Sequence, residues 1–196
     1  MRRRSGLAVV LPFVLLTSGC SADPLAEQYR EGSGKGYIAG DGSVAEWIPA
    51  ERGDPVVFDG KLENGDIIQS ADLVGDVVVV NFWYAACAPC RAEAPDLEGL
   101  HQQFKEADVT FLGVNVRDQA DTALAFADTY GVTYPSIIDL DKRTGLAFAG
   151  LFAPNAVPTT LVLDESGRVA ARIVGRVSEP SILETLIEDV ASEEPE

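Results

Sequence analysis

The strongest constraint on the fold of this chain is the stretch from Val77 to Pro95, which reads VVVVNFWYAACAPCRAEAP. Valine is stiff about χ1 and prefers a pleated strand. A run this apolar, without alternation, is typical of a strand that is covered on both faces. We therefore predict a central parallel strand that leads into a helix beginning near Cys87.

Two cysteines, Cys87 and Cys90, stand at this predicted strand-to-helix junction. Backbone N–H groups at a helix start are unpaired and carry partial positive charge. A thiolate placed there is stabilised, and its lowered pKa makes it a nucleophile. We predict that Cys87, exposed, attacks a substrate disulfide, and that Cys90, shielded, resolves the mixed disulfide.

A Cys-x-x-Cys pair also occurs in zinc sites and in structural disulfides. Structural zinc needs four ligands, and the chain adds only carboxylates and His101, which we interpret as a solvated helix residue. A structural disulfide across so short a loop stabilises little. The sequence therefore predicts no metal and no cofactor.

The composition describes an acidic chain with ample material for one core. It has 196 residues, 46% of them hydrophobic, and a net charge of −16. Nucleic-acid binding needs clustered Lys and Arg, so this class is excluded. An acidic surface that keeps an exported domain soluble is the simplest interpretation.

The N-terminus has the pattern of an export signal. A basic start, Met1–Arg4, precedes an apolar stretch, Leu7–Leu16, that is too short to span a bilayer. Thr17-Ser18-Gly19-Cys20 resembles a bacterial lipobox, which implies diacylglycerol on Cys20 and explains the third cysteine. We expect a lipid-anchored protein on the extracytoplasmic face of a bacterial membrane.

This interpretation divides the chain into four parts. Residues 1–19 are the predicted signal peptide, and residues 20–48 are a lipidated, glycine-rich flexible tether. Residues 49–192 are one folded domain, and residues 193–196 are an acidic tail that we expect to be frayed.

Within the domain, strand and helix patterns alternate, which indicates an α/β sheet with helices on both faces. We expect the apolar residues Leu124, Phe126, Ala127, Ile182, Leu183, Leu186 and Ile187 to face inward from two of the helices. The predicted strands are 56–58 and 67–68 (a hairpin about Asn64-Gly65-Asp66), 77–82, 110–116, 135–139, 159–163 and 169–174. The predicted helices are a turn at 71–73, one after Cys87 that Pro95 should kink, 119–130, 144–149 and 179–191.

The segment NFWYAACAPCRAEAPDL resembles the active-site region of the TlpA/ResA branch of thioredoxin-like thiol–disulfide oxidoreductases. Val157-Pro158-Thr159-Thr160 is similar to the second signature of that family, a cis-proline loop opposite the Cys-x-x-Cys pair. The resemblance covers Pro55 to Ala191. It implies a thioredoxin fold: a central mixed β-sheet flanked by helices, with an N-terminal β-hairpin and a central α/β insertion at Gln119–Leu140.

The resemblance also implies roles for residues around the cysteines. Glu93 matches an acidic residue that tunes the thiols and moves protons, and a solvated helix carboxylate is the alternative. Pro158 would face Cys87, and the Val157 backbone would pair with an extended substrate. Trp83 is assigned to substrate binding, with core packing as the alternative; Ala86 stands where the family usually has tryptophan.

The function implied is a disulfide reductase that acts on partner proteins such as apocytochrome c and is re-reduced by a membrane thiol donor of the DsbD or CcdA kind. Two alternatives stay open. A peroxiredoxin-type thiol peroxidase would need a Pro-x-x-x-Thr/Ser-x-x-Cys loop. A metallochaperone on the same fold would need Cys-x-x-x-Cys with a distant histidine, or several methionines.

Overall fold

The computed structural model describes residues 43–153 and 156–193. The strands are β1 Val44–Glu46, β2 Asp59–Lys61, β3 Ile67–Gln69, β4 Val77–Trp83, β5 Val109–Asn115, β6 Ser136–Ile138, β7 Thr159–Leu163 and β8 Val169–Val174. The α-helices are α1 Ala88–Gln103, α2 Ala120–Tyr130, α3 Arg143–Ala147 and α4 Pro180–Ala191, and Pro49–Glu51 and Ser70–Leu73 form 3₁₀ turns.

Six strands form one mixed sheet in the order β1-β8-β7-β4-β5-β6, and β2 pairs with β3 as a separate hairpin. β4, β5 and β6 are parallel, whereas β7, β8 and β1 each run antiparallel to the preceding neighbour. The α/β segment predicted over Gln119–Leu140 forms α2 and β6, which extends the sheet at one edge. This is the predicted architecture.

The valine run explains why the sheet is covered on both faces. Side chains alternate along a strand, so Val77 and Val79 join the core beneath α1 and α4, whereas Val78 and Val80 join the core that contains Phe148. Every residue of β4 is buried. β4 is therefore the central strand that the sequence predicted.

Because β4 and β7 are antiparallel, the end of β4 lies beside the start of β7. The β4–α1 connection and the Val157-Pro158 loop consequently meet at one end of the sheet. We call this end, where β4 terminates, the active-site end.

Several sequence predictions are wrong at the N-terminal boundary. The folded domain does not begin at residue 49, because Val44–Glu46 already pairs with β8 inside the region predicted as tether. The first hairpin strand is Asp59–Lys61 rather than 56–58, and Val57 is 81% exposed. Residues 1–42, which include the predicted signal peptide and Cys20, and residues 194–196 lie outside the described residues.

The helices follow the predicted positions to within a few residues, with corrections to their faces. Leu124 and Ile182 are exposed rather than inward, because the buried stripe runs through Ala123 and Phe126 in α2 and through Leu183, Leu186, Ile187 and Val190 in α4. α1 continues through Pro95.

Two further residues lie in contacts that the sequence did not predict. His101 is not fully solvated: its ring packs against Phe111 and Tyr134, with ring centroids 5.5 and 5.6 Å away. Glu193, assigned to a frayed tail, accepts hydrogen bonds from both terminal nitrogens of Arg52.

Candidate active site

The two cysteines close a disulfide at the start of α1, with their Cα atoms 5.2 Å apart. Cys87 is the N-cap residue of the helix, and its Sγ accepts the backbone N–H of Cys90 at 3.2 Å. Pro89 lies in the first turn, where it removes no helical hydrogen bond. The helix start thus directs at the Cys87 sulfur an N–H group that has no carbonyl partner within the helix. A thiolate in this position is stabilised.

Both cysteines are buried in this oxidised state, which corrects the expectation of an exposed Cys87. Cys87 is 3% exposed and Cys90 2%. Val157 and the residues before the pair pack against the same cluster. Ala86, Ala88 and Pro89 are exposed, so a partner meets a surface of small residues beside the disulfide.

Hydrogen bonds that sequence reasoning missed hold the loop before Cys87. The Asp118 carboxylate accepts the backbone N–H of Ala85 at 2.6 Å and the side-chain amide of Asn115 at 3.0 Å. Arg91 donates to the Ala85 carbonyl at 3.1 Å. The available signal was Asn115, a polar residue at the end of an apolar strand, followed three residues later by Asp118.

The peptide bond between Val157 and Pro158 is cis, as the family signature implied. The Val157 carbonyl oxygen lies 4.0 Å from the Cys87 sulfur. Pro158 is buried, and its carbonyl accepts the Gly175 N–H at 2.9 Å. The loop is thus beside the disulfide; its role in substrate pairing stays a prediction.

Glu93 is buried, with 1% of its surface exposed, which rules out the solvated-carboxylate alternative. One carboxylate oxygen accepts the Asn81 amide at 3.0 Å, and the other accepts the Val177 backbone N–H at 2.9 Å. Asn81 also donates to the Thr160 hydroxyl at 3.0 Å. A buried polar network therefore joins α1, β4, β7 and the segment after β8.

Burial in this network raises the pKa of Glu93 from 4.5 to about 7. Removal of the carboxylate from water is the main cause, and the hydrogen bonds from Val177 and Asn81 and the charge of Arg176 offset it only in part. Glu93 follows Cys90 by three residues and lies on the same side of α1. The site therefore contains a carboxyl group that can give or take a proton near neutral pH.

Trp83 lies behind the disulfide, in a cluster with both cysteines. Its indole N–H donates to the Ser136 hydroxyl at 3.2 Å, and its ring packs on Phe126 with centroids 4.3 Å apart. It is 6% exposed. This placement favours the core-packing alternative over direct contact with a substrate.

A small pocket lies next to this cluster. Cys90, Asn81 and Trp83 line it together with Tyr134, Ser136 and Glu63. The pocket therefore touches the second cysteine and Asn81, whose side-chain amide donates to Glu93.

Within residues 43–153 and 156–193, no three or more His, Cys, Asp or Glu side chains form a group that could hold a metal ion. None of the helices in the same ranges has the length and apolarity required to cross a bilayer.

Comparison with known families decides the classification. The family model described as the AhpC/TSA family matches residues 53–172, which contain both cysteines and the Val157-Pro158 loop. The chain belongs to the AhpC/TSA family.

Two curated relatives place the chain near a group of redox proteins. It is 32% identical over 120 residues to the thiol-disulfide oxidoreductase ResA of Halalkalibacterium halodurans, covering 61% of this chain and 66% of that protein. It is 33% identical over 135 residues to the thiol:disulfide interchange protein HelX of Rhodobacter capsulatus, covering 68% of this chain and 69% of HelX. The matched region thus spans about two thirds of each relative.

A solved structure confirms the thioredoxin fold. The secreted thiol-disulfide isomerase of Corynebacterium glutamicum superposes with a TM-score of 0.70 at 32% identity, covering 80% of this chain and 99% of that chain. The fold and the TlpA/ResA-like resemblance predicted from the sequence are confirmed.

Proposed function

We propose that this protein is a thiol–disulfide oxidoreductase that exchanges disulfides with partner proteins through Cys87 and Cys90. The observation that carries the proposal is the Cys87–Cys90 disulfide at a helix N-terminus, with the Cys90 N–H directed at the Cys87 sulfur. The relatives named as thiol–disulfide oxidoreductases support it.

In the reducing direction the dithiol form acts. The Cys87 thiolate attacks one sulfur of a partner disulfide, so a mixed disulfide forms and the other partner sulfur leaves as a thiolate. Cys90 then attacks the Cys87 sulfur, which releases the second partner thiol and forms the Cys87–Cys90 disulfide. Two electrons pass to the partner, and a dithiol donor returns them in a second exchange.

Glu93 is the proton carrier that we propose for the second step. Cys90 must lose its proton before it can attack, and a buried carboxylate one helical turn away can accept it. Asn81 and the Val177 N–H hold the Glu93 carboxylate in place at this distance from Cys90. A pKa near neutral suits a group that both takes and returns a proton.

The cellular setting belongs to the same proposal. The N-terminal pattern supports a lipid anchor at Cys20 and an extracytoplasmic location on a bacterial membrane. The resemblance to TlpA/ResA proteins supports disulfide-bonded partners such as apocytochrome c and a membrane thiol donor of the DsbD or CcdA kind.

A defined exchange reaction tests the activity. The reduced protein is mixed with a small peptide that contains one disulfide, and the products are followed by mass spectrometry after acid quenching. The wild type should yield reduced peptide, Cys90→Ser should accumulate a mixed disulfide of protein and peptide, and the matched control Cys87→Ser should give neither. No mixed disulfide in Cys90→Ser would contradict the assignment of Cys87.

The same reduced protein separates the peroxidase alternative. A thiol peroxidase would consume hydrogen peroxide much faster than it reduces the peptide. Faster reaction with peroxide than with the disulfide would replace the proposed function by that alternative.

A further inference from the structure

The strand register brings the N-terminal entry of the domain to the active-site end. Val44, the first residue of β1, pairs with Ile173 near the end of β8. At the same end Thr159 pairs with Val174 on one side and with Phe82 on the other. The chain therefore enters the sheet at the end where β4 leads into the disulfide.

The distance between entry and disulfide is short on the scale of the domain. β1 and β4 are separated by β8 and β7. Three strand spacings amount to about 14 Å. The opposite end of the sheet is farther from the entry, because a seven-residue strand such as β4 is about 23 Å long.

Formal charge differs between the two ends of the sheet. The connections at the active-site end carry four acidic and three basic residues. They are segments 84–87, 116–119, 139–142 and 175–179, with the acids Asp118, Asp139, Asp141 and Glu179 and the bases Arg117, Lys142 and Arg176. The connections at the opposite end carry nine acidic and three basic residues. They are segments 47–58, 70–76, 104–108, 164–168 and 192–193, with the acids Glu51, Asp54, Asp72, Asp76, Glu106, Asp108, Asp164, Glu165 and Glu193 and the bases Arg52, Lys105 and Arg168. The charge of the connections is therefore −1 at the first end, four acids against three bases, and −6 at the second, nine against three.

We propose that the active-site end faces the bilayer, so that the membrane thiol donor of the proposed function meets the disulfide there. This inference rests on the lipid anchor at Cys20 in the proposed function. Two independent features produce the orientation: the attachment point lies at the active-site end, and anionic headgroups repel the strongly acidic opposite end.

Chain length sets the reach of the anchored domain. Ser43 follows Cys20 by 23 residues. Even fully extended they span at most about 80 Å. The folded domain therefore stays within about 80 Å of the bilayer, a distance that lets the disulfide meet the membrane thiol donor of the proposed function.

The electron balance of that meeting is a complete exchange. One partner thiolate attacks the Cys87–Cys90 disulfide, the second partner thiol resolves the mixed disulfide, and the partner's own disulfide forms. Two electrons and two protons pass to Cys87 and Cys90, which become the dithiol.

Energy transfer from the domain to the lipid surface tests the orientation. The full-length lipidated protein, with its disulfide oxidised, carries one fluorophore on Gln119→Cys at the active-site end or on Gly53→Cys at the opposite end. Both positions are exposed, and a Cβ at Gly53 meets nothing within 4 Å. Each is placed in vesicles that contain an acceptor-labelled lipid, with either phosphatidylglycerol or phosphatidylcholine as the main lipid.

We expect greater energy transfer from position 119 than from position 53. This difference between the two positions should be larger in phosphatidylglycerol vesicles than in phosphatidylcholine vesicles at low salt. Raising the ionic strength to about 0.15 M shortens the Debye length to about 8 Å and should reduce that additional excess. The variant Glu51→Gln/Asp54→Asn/Glu106→Gln, which reduces the charge of the opposite end from −6 to −3, should show a weaker dependence on lipid charge but keep the excess due to attachment.

Two outcomes overturn the inference in distinguishable ways. Equal transfer from both positions, or greater transfer from position 53, in protein that floats with the vesicles refutes the orientation and leaves the anchor intact. Full-length protein that does not float with the vesicles refutes the anchor and this inference with it, while the exchange activity of the proposed function stands on its separate peptide assay.

Discussion

Replacement of Glu93 by glutamine should change how the stability of the protein depends on pH. The folded protein holds the pKa of Glu93 at about 7, against 4.5 for the free group, mainly because the carboxylate is buried. Between these two pH values the folded chain binds one proton more than the unfolded chain. This contribution to stability is full below about pH 4.5, falls as the pH rises, and is lost above about pH 7.

The magnitude follows from the size of the shift. A shift of one pKa unit corresponds to about 1.4 kcal/mol, so a shift from 4.5 to about 7 corresponds to about 3 kcal/mol. Glutamine has no charge to bury, so the variant lacks this pH-dependent contribution to the free energy of unfolding. Its amide nitrogen cannot accept the hydrogen bond of Asn81 or of Val177, which costs about 1–3 kcal/mol at every pH.

The assay is urea unfolding of the oxidised protein at a series of pH values from 4.5 to 8.5. At low pH Glu93→Gln should be less stable than the wild type. Between the ends of the series the difference in the free energy of unfolding should shift by about 3 kcal/mol in favour of the variant. Glu106→Gln, which changes an exposed carboxylate, is the matched control and should follow the wild type throughout.

A constant difference between Glu93→Gln and the wild type across the series would refute the reasoning. It would mean that the carboxyl group ionises as easily in the folded protein as in the unfolded chain. Titration of the side-chain carboxyl carbon of Glu93 by NMR would then place its midpoint near 4.5 rather than near 7.

Three further predictions concern the surroundings of the disulfide. In Cys90→Ser the remaining active-site thiol should be alkylated with a midpoint below the free value of about pH 8.5, and a midpoint at or above it would refute stabilisation by the helix start. Asp118→Ala removes the acceptor of the Ala85 N–H, so it should cost about 1–3 kcal/mol of stability and slow the exchange with the model peptide. An unchanged exchange rate would show that this hydrogen bond does not position the loop. Gly113→Ala would place a Cβ 2.2 Å from the Ser136 hydroxyl and should destabilise the fold in urea unfolding. The control Gly99→Ala, whose Cβ would meet nothing within 4 Å, should be neutral or stabilising by up to about 1 kcal/mol. Equal effects of the two substitutions would refute the close approach of Gly113 to Ser136.

The sequence predicted best the strands in the interior of the six-stranded sheet. β7 and β8 occupy the predicted ranges, and the valine run is the central strand. Local pattern is sufficient there, because a strand covered on both faces has no exposed side to place. The same reasoning identified Cys87 and Cys90, since their position depends only on where β4 gives way to α1.

The N-terminal hairpin was placed wrongly because tertiary contact decides it. Val56 and Val57 have strong β propensity, yet the strand is Asp59–Lys61, whose Gly60 lies directly against Ile137. A Cβ at Gly60 would lie 2.4 Å from that side chain. Propensity favours residues that fit a half-buried pleated surface, and it cannot show where another strand leaves room only for glycine.

The surroundings of Glu93 depend on residues far away in the chain. Its partners Asn81 and Val177 come from β4 and from the segment after β8, 12 and 84 residues distant. The helical spacing from Cys90 predicted which side of α1 Glu93 would occupy. Burial of that side, and with it the raised pKa, requires the sheet and the β8–α4 connection to be in place.

Reduction of the disulfide adds a second ionisable group to this buried region, and the two groups must then titrate as a pair. Neighbours three residues apart on a helix lie about 5–6 Å apart at Cβ, so a Cys90 thiolate and a Glu93 carboxylate would repel each other at low effective dielectric. Each charge raises the pKa of the other group. Near neutral pH the reduced site should therefore retain one proton that Cys90 and Glu93 share. This is the proton that Cys90 must give to Glu93 before it can attack the Cys87 sulfur and close the disulfide. NMR titration should show two coupled steps for Glu93 in the reduced protein and a single step near pH 7 in the oxidised protein. A Glu93 titration that is identical in both redox states would mean that the carboxyl group and the thiol are independent, and another group would have to carry the proton.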